Sequence, residues 1–246
     1  MSRRLALLFI AVALATAAPR AQQSGPGTSA FEAETLKHFQ VLLQRDTSSP
    51  PGNEIRAVEY LRQVLDAEGI PYQVFAKDPQ RPNLVVRMKG NGKKKPVLVM
   101  GHTDVVTVDP KKWTFPPFGG TVDGGYVYGR GAVDDKDNLV AALMLVLHIK
   151  RAGISLDRDV IFVAEAGEEG APDVGAQFMA DNHFDAIDAE FCLAEGGGVV
   201  RRGGRVVQAN VGTSEVCSID QCDGWLSSSQ SAAGFETFGS GLSTSR

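Results

Sequence analysis

The spacing of apolar positions divides the chain into short alternating segments. Phe31, Leu36, Phe39, Leu42 and Leu43 recur at helical intervals. Ile55, Val58, Leu61 and Leu65 do the same after a break at residues 48–52 that holds two prolines, and Gly69 stops this second helix. Residues 72–75, 84–88 and 97–100 are short runs rich in β-branched and aromatic side chains. Asn91-Gly92 offers a turn between the last two, which predicts that they pair as neighbouring strands. A further short strand, 126–128, follows Asp123-Gly124-Gly125.

Residues 139–149 are apolar almost all round, which predicts a buried helix closed by Gly153, with His148 as a satisfied core histidine. Strand-like runs at 160–164 and 190–193 flank a helical stretch at 174–182. Strands alternating with helices predict an α/β fold, a sheet flanked by helices. Residues 198–211 read as a hairpin around Gly203-Gly204. After Ser214 the periodicity fades into a serine- and glycine-rich segment, so 215–246 is expected to be an irregular tail.

The amino terminus has a different pattern. Arg3 and Arg4 precede an apolar run from Leu5 to Ala15, and Ala15-Thr16-Ala17 is a small-x-small site. This predicts a signal peptide at 1–21, then a polar leader at 22–30 and a catalytic domain over 31–214. The apolar run falls short of the ~20 residues a spanning helix needs, so no stable membrane insertion is expected. The expected location is secreted or periplasmic. Composition narrows the picture further. With 246 residues, 43% hydrophobic and 22% charged, the chain resembles a globular protein rather than a disordered or fibrous one. A net charge of -4 excludes an electrostatic grip on nucleic acid. Three cysteines cannot make a disulfide scaffold.

Four apolar or turn segments each end in hard polar groups. His102 leaves the run Val97–Met100 with Asp104 two residues on. Asp134 and Asp135 stand before the apolar helix, after Gly129-Arg130-Gly131. Glu168 and Glu169 follow the strand at 160–164, and Glu195 follows the strand at 190–193. Taken singly, a histidine satisfied by hydrogen bonds or acidic residues capping a helix would account for each. Together they place one imidazole and several carboxylates at the strand ends where open α/β sheets bind ligands. Such N/O donors suit zinc, in sufficient number for two ions.

In motif and spacing these residues resemble the co-catalytic zinc metallopeptidases that include acetylornithine deacetylase, succinyl-diaminopimelate desuccinylase, aminoacylase and glutamate carboxypeptidase. Pro116-Pro117-Phe118-Gly119-Gly120, Gly129-Arg130-Gly131 and Asp134-Asp135-Lys136 are similar to its secreted, carboxypeptidase-like branch. The resemblance implies that His102 and Glu195 ligate one zinc and Glu169 another. Asp134 would bridge the two, ahead of a cis Asp134–Asp135 peptide. It assigns Asp104 to orienting His102 and Glu168 to the general base. It implies hydrolysis of peptide or N-acyl amino acid amide bonds by water activated between two zinc ions.

The family pattern also includes a lid domain with a Gly-Gly-His histidine and a later histidine ligand for the second zinc. The four histidines here are His38, His102, His148 and His183. The chain is therefore expected to be truncated or frameshifted after Ser214, with the lid missing and the second zinc weakly held. Cys217 and Cys222 receive no role. The alternatives are a catalytically silent fragment binding a single zinc, and a peptide-binding module without turnover.

Overall fold

A computed structural model describes residues 26–195 and 198–210. The readings made for residues 1–25 and 211–246, among them the signal peptide, the serine-rich tail, Cys217 and Cys222, lie outside the described residues.

The elements run α1 (Pro26–Leu43), β1 (Ser48–Ser49), α2 (Ile55–Ala67), β2 (Tyr72–Phe75), β3 (Asn83–Met88), β4 (Val97–His102) and β5 (Val105–Val106). They continue with β6 (Thr121–Asp123), β7 (Tyr126–Tyr128), α3 (Lys136–Ala152), β8 (Val160–Glu165), α4 (Ala176–Ile187), β9 (Phe191–Leu193), β10 (Gly198–Arg202) and β11 (Arg205–Asn210). A five-stranded sheet in the order β2-β3-β8-β4-β9 is the centre of the molecule. Strands β4, β8 and β9 are parallel, while β3 is antiparallel to both β2 and β8. The fold is α/β with helices on both faces, as the alternation of patterns predicts.

Side-chain alternation on the strands builds two cores. Leu84, Val86, Phe162 and Ala164 point to one face, where they meet Leu42 of α1, Val58, Leu61 and Leu65 of α2, and Leu139, Leu143 and Leu147 of α3. Val85, Leu98, Ile161 and Val163 point to the other face and meet Met179 of α4. All six residues of β8 are buried and the first five are apolar, so this strand takes the middle of the sheet.

That placement corrects one expectation. β3 and β4 are not neighbours, because β8 lies between them. Gly92 does turn the chain, with φ at 74°, but the turn is held by the segment leading into β8. Asn91 N–H donates to Leu156 O at 2.8 Å, and Lys94 N–H to Asp157 O at 3.0 Å.

A second correction concerns His148, which is exposed and meets Phe31 edge-on at 6.1 Å rather than sitting in the core. Helix α3 leaves an outward stripe of Ala141, Leu145 and His148, spaced one and two turns apart. Helix α1 also begins at Pro26, five residues ahead of Phe31. The hairpin around Gly203-Gly204 forms as predicted, from β10 and β11. Gly153 closes α3 in the left-handed conformation. Among the described residues, no helix is long and apolar enough to cross a membrane.

Candidate metal centre

Because β4, β8 and β9 are parallel, their carboxyl ends share one edge of the sheet. His102 is the last residue of β4, and its register partner on β8 is Glu165. Glu168 and Glu169 lie in the turn after β8, and Glu195 two residues beyond β9. Asp134 and Asp135 reach the same place from the loop before α3, joined by a cis peptide. Gly101 makes that approach possible. A Cβ on it would stand 2.8 Å from Leu139 N and 3.0 Å from Asp135 Oδ2.

His102 is the hub of the cluster. Its Nε2 lies 2.9 Å from Asp134 Oδ1, 3.8 Å from Glu168 Oε2 and 3.9 Å from Glu195 Oε1. Its Nδ1 turns the other way, 3.0 Å from the carbonyl oxygen of Asp104 and 3.5 Å from Asp104 Oδ1. Two groups of ligand atoms each lie within 4.8 Å of one another: His102, Asp134 and Glu195 in one, His102, Glu168 and Glu169 in the other. The structure thus brings all six sequence-derived candidates to one point, although His102 and Glu195 are 93 positions apart in the chain.

Two buried carboxylates fix this arrangement through backbone groups. Asp104 is fully buried, and its Oδ1 and Oδ2 accept the N–H groups of Glu168 at 3.2 Å and Glu169 at 3.1 Å. Asp135 Oδ2 accepts the backbone N–H of His102 at 3.0 Å, and Asn138 Nδ2 donates to Asp135 Oδ1. Asp135 occupies the N-cap position of α3 but makes no side-chain cap bond. The plain reading of this carboxylate as a helix cap is therefore replaced by a role in holding the end of β4.

Crowded carboxylates in a partly dry site should resist ionisation. Burial, reinforced by the charges of Glu195, Glu169 and Asp104, lifts Glu168 to about 7. Glu169 and Glu195 are raised as well, first by burial and then by neighbouring carboxylates. Asp134 goes the other way: its hydrogen bond to His102 outweighs burial and lowers it. For His102, burial favours the neutral ring, but hydrogen bonds to Asp104 and Asp134 prevail and raise it to about 12.

Several supporting residues were given no role of their own by the sequence. Glu165 is entirely enclosed, its Oε1 accepting Ala176 N–H at 2.9 Å, and burial raises it to about 8. Its signal was an acid ending a strand otherwise wholly apolar. Lys136 is buried at the start of α3 and donates to Leu42 O at 3.0 Å and Arg45 O at 2.7 Å, fastening α3 to the end of α1. Burial lowers it to about 7. Arg130 stacks over the Trp113 ring at 5.4 Å and helps lower Asp134. The remaining histidines sit elsewhere: His38 against the Tyr60 hydroxyl, His148 on Phe31, and His183 between Phe75 and Phe178.

Comparison with known proteins adds an independent line. A family model described as peptidase family M20/M25/M40 matches residues 98–236. An N-formyl-4-amino-5-aminomethyl-2-methylpyrimidine deformylase of Halalkalibacterium halodurans is 31% identical over 187 residues, covering 72% of this chain and 44% of its own. A probable succinyl-diaminopimelate desuccinylase of Staphylococcus aureus is 31% identical over 164 residues, 65% of this chain and 40% of its own. Among solved structures, an M20 family metallo-carboxypeptidase from Sulfolobus solfataricus superposes with a TM-score of 0.57 at 26% identity, over 68% of this chain and 38% of that one. The chain spans less than half the length of these relatives.

Proposed function

Since this chain belongs to peptidase family M20/M25/M40, we propose that it is a metal-dependent hydrolase of peptide or N-acyl amino acid amide bonds. The observation that carries the reading is the convergence of one imidazole and four carboxylates on a single sheet edge. The relatives' names, a deformylase, a desuccinylase and a metallo-carboxypeptidase, support it.

The donor set fits divalent metal. His102 presents Nε2 outward while Asp104 takes Nδ1, the orientation a metal-ligating imidazole needs. Glu168, Glu169 and Glu195 have raised pKa values partly because they repel one another, a cost that a cation relieves. His102, Asp134 and Glu195 would hold one ion, and Asp134 with Glu169 a second. Nitrogen and carboxylate donors favour zinc. A bound zinc supplies Lewis-acid polarisation of the scissile carbonyl and a lowered pKa for the attacking water.

The protein's own groups manage the proton. Glu168, poised near neutrality and 3.8 Å from His102 Nε2, accepts a proton from the attacking water. It then gives that proton to the leaving nitrogen as the C–N bond breaks, releasing an amine and a carboxylic acid. Asp104 keeps Glu168 and Glu169 in register through their backbone N–H groups. The test is hydrolysis of dipeptides and N-acyl amino acids by the zinc-loaded chain. Activity abolished by a chelator and by Glu168→Gln supports the reading; no activity in a folded, zinc-loaded sample overturns it.

One observation favours a second reading, a silent chain holding a single zinc. His102 is the one histidine of the four at this edge, and it has one outward nitrogen. Tight zinc binding without hydrolysis would select this reading. Export to a secreted or periplasmic location belongs to the same proposal and rests on the pattern at residues 1–21. It is tested by the amino-terminal sequence of the exported protein, expected to begin near Gln22.

A further inference from the structure

The break at residues 48–52, with its two prolines, has no part in the mechanism above, yet it wraps a buried cation that points at the metal centre. Pairing of Ser48 with Val105 and Ser49 with Val106 seats this loop on the chain just after His102 and Asp104. Thr47 Oγ1 donates to Thr103 O at 2.7 Å, and Val105 N–H donates to Thr47 O at 3.2 Å. The loop then encloses the Arg81 guanidinium. Glu54, wholly unexposed, accepts from Arg81 Nε at 2.9 Å and from its terminal nitrogen at 2.6 Å. Ser49 Oγ accepts from the same terminal nitrogen at 3.2 Å. Gly52, with φ at 82°, closes over the group, where a Cβ would lie 2.2 Å from Arg81 Nε. A side chain there would displace the guanidinium and strain the backbone.

The open side of this cage faces Asp104. The Arg81 terminal nitrogen lies 3.8 Å from Asp104 Oδ2, the oxygen that also accepts Glu169 N–H. Asp104 is fully buried beside Glu54, Glu165 and the two site glutamates, and the caged guanidinium fixes the position of its Oδ2 side. The chain of contacts runs from Glu54 through Arg81 and Asp104 to His102, Glu168 and Glu169.

We infer that Arg81, held by Glu54, Ser49 and Gly52, is a positioning residue that sets the zinc affinity of this centre through Asp104. The inference rests on the metal-centre reading above. A partner that touches a ligand directly, as Asp104 touches His102, is worth roughly 10–100-fold in metal affinity when removed, and Arg81 acts one step behind it.

The full chain carrying Glu54→Met with Arg81→Met tests it. Replacing a buried ion pair with apolar groups of similar size is often neutral for folding, so fold and affinity separate in this variant. Two quantities are measured: zinc affinity by competition with a chromophoric chelator, and amide hydrogen exchange in metal-free protein. The expected result is a measurable loss of zinc affinity, smaller than the roughly 10–100-fold that removing Asp104 itself should cost. Exchange should quicken at Glu168 and Glu169 but not in β8, a local effect that general destabilisation would not produce. If the double variant does not fold, Glu54→Gln with Arg81→Gln replaces it, with the same outcomes. A folded double variant with wild-type zinc affinity overturns the inference alone. A wild-type chain that binds no zinc overturns the metal-centre reading itself, and the inference with it.

Discussion

Asp104 Oδ2 accepts the backbone N–H of Glu169 at 3.1 Å, across 65 positions of the chain. With Oδ1 on Glu168 N–H and His102 Nδ1 nearby, one side chain aligns the end of β4 with the turn after β8. Asp104→Ala is therefore expected to weaken zinc binding roughly 10–100-fold although Asp104 is not a ligand. A zinc titration of the variant checks this, and wild-type affinity would contradict it.

Glu168 and Glu169 are adjacent in sequence and differ in assignment. Glu168→Gln removes the proposed proton acceptor but leaves the proposed ligands His102, Asp134, Glu169 and Glu195 in place. Its kcat on N-acyl amino acids should fall roughly 10²–10⁴-fold with little change in zinc affinity. Glu169→Gln should instead weaken the second ion. Steady-state kinetics at saturating zinc, paired with metal titration, separates the two roles.

Glu165 gives the metal-free protein a pH-dependent stability. Burial raises it from an ordinary 4.5 to about 8, so the folded state binds a proton that the unfolded chain has lost between those values. Its contribution is fully present below about pH 4.5 and is lost as pH rises through about 8. Glu165→Gln keeps an acceptor for Ala176 N–H and removes the titration. Urea midpoints from pH 4.5 to 8.5 should decline less steeply in the variant than in the wild type. Parallel declines would contradict the assignment.

Phe162 sits on the central strand, without exposure, between α3 and the neighbouring strands. Phe162→Ala is expected to cost about 3–5 kcal/mol, the range for a large cavity in a packed core. Val133, by contrast, is 83% exposed, and Val133→Ala should leave stability within about 0.5 kcal/mol. Denaturant unfolding of both variants provides the comparison.

Much of this was legible from local patterns. The helical spacing of Val58, Leu61 and Leu65 and the apolar runs ending at His102, Ala164 and Leu193 mark elements by periodicity alone. The polar residues that follow them mark the site, because parallel strands put their carboxyl ends together. What periodicity does not carry is strand order. Asn91-Gly92 looks like a hairpin turn, and only the two-faced burial of β8 decides that a third strand enters between its arms. The same limit hid the residues behind the site. Asp135 looks like a helix cap until Gly101 lets it approach His102 N–H, and Arg81 has no neighbour in sequence that announces Glu54 or Asp104. Those partners meet only through tertiary packing, as does the outward turn of His148 in a helix that seemed apolar throughout.

The most direct test of the account is the zinc content of the purified full chain beside that of His102→Ala, measured by elemental analysis after dialysis against metal-free buffer. The account predicts a zinc ion retained by the wild type and lost in the variant, with circular dichroism unchanged. Equal retention by both proteins would contradict a centre built on His102, as would a folded wild type that takes up no zinc at all.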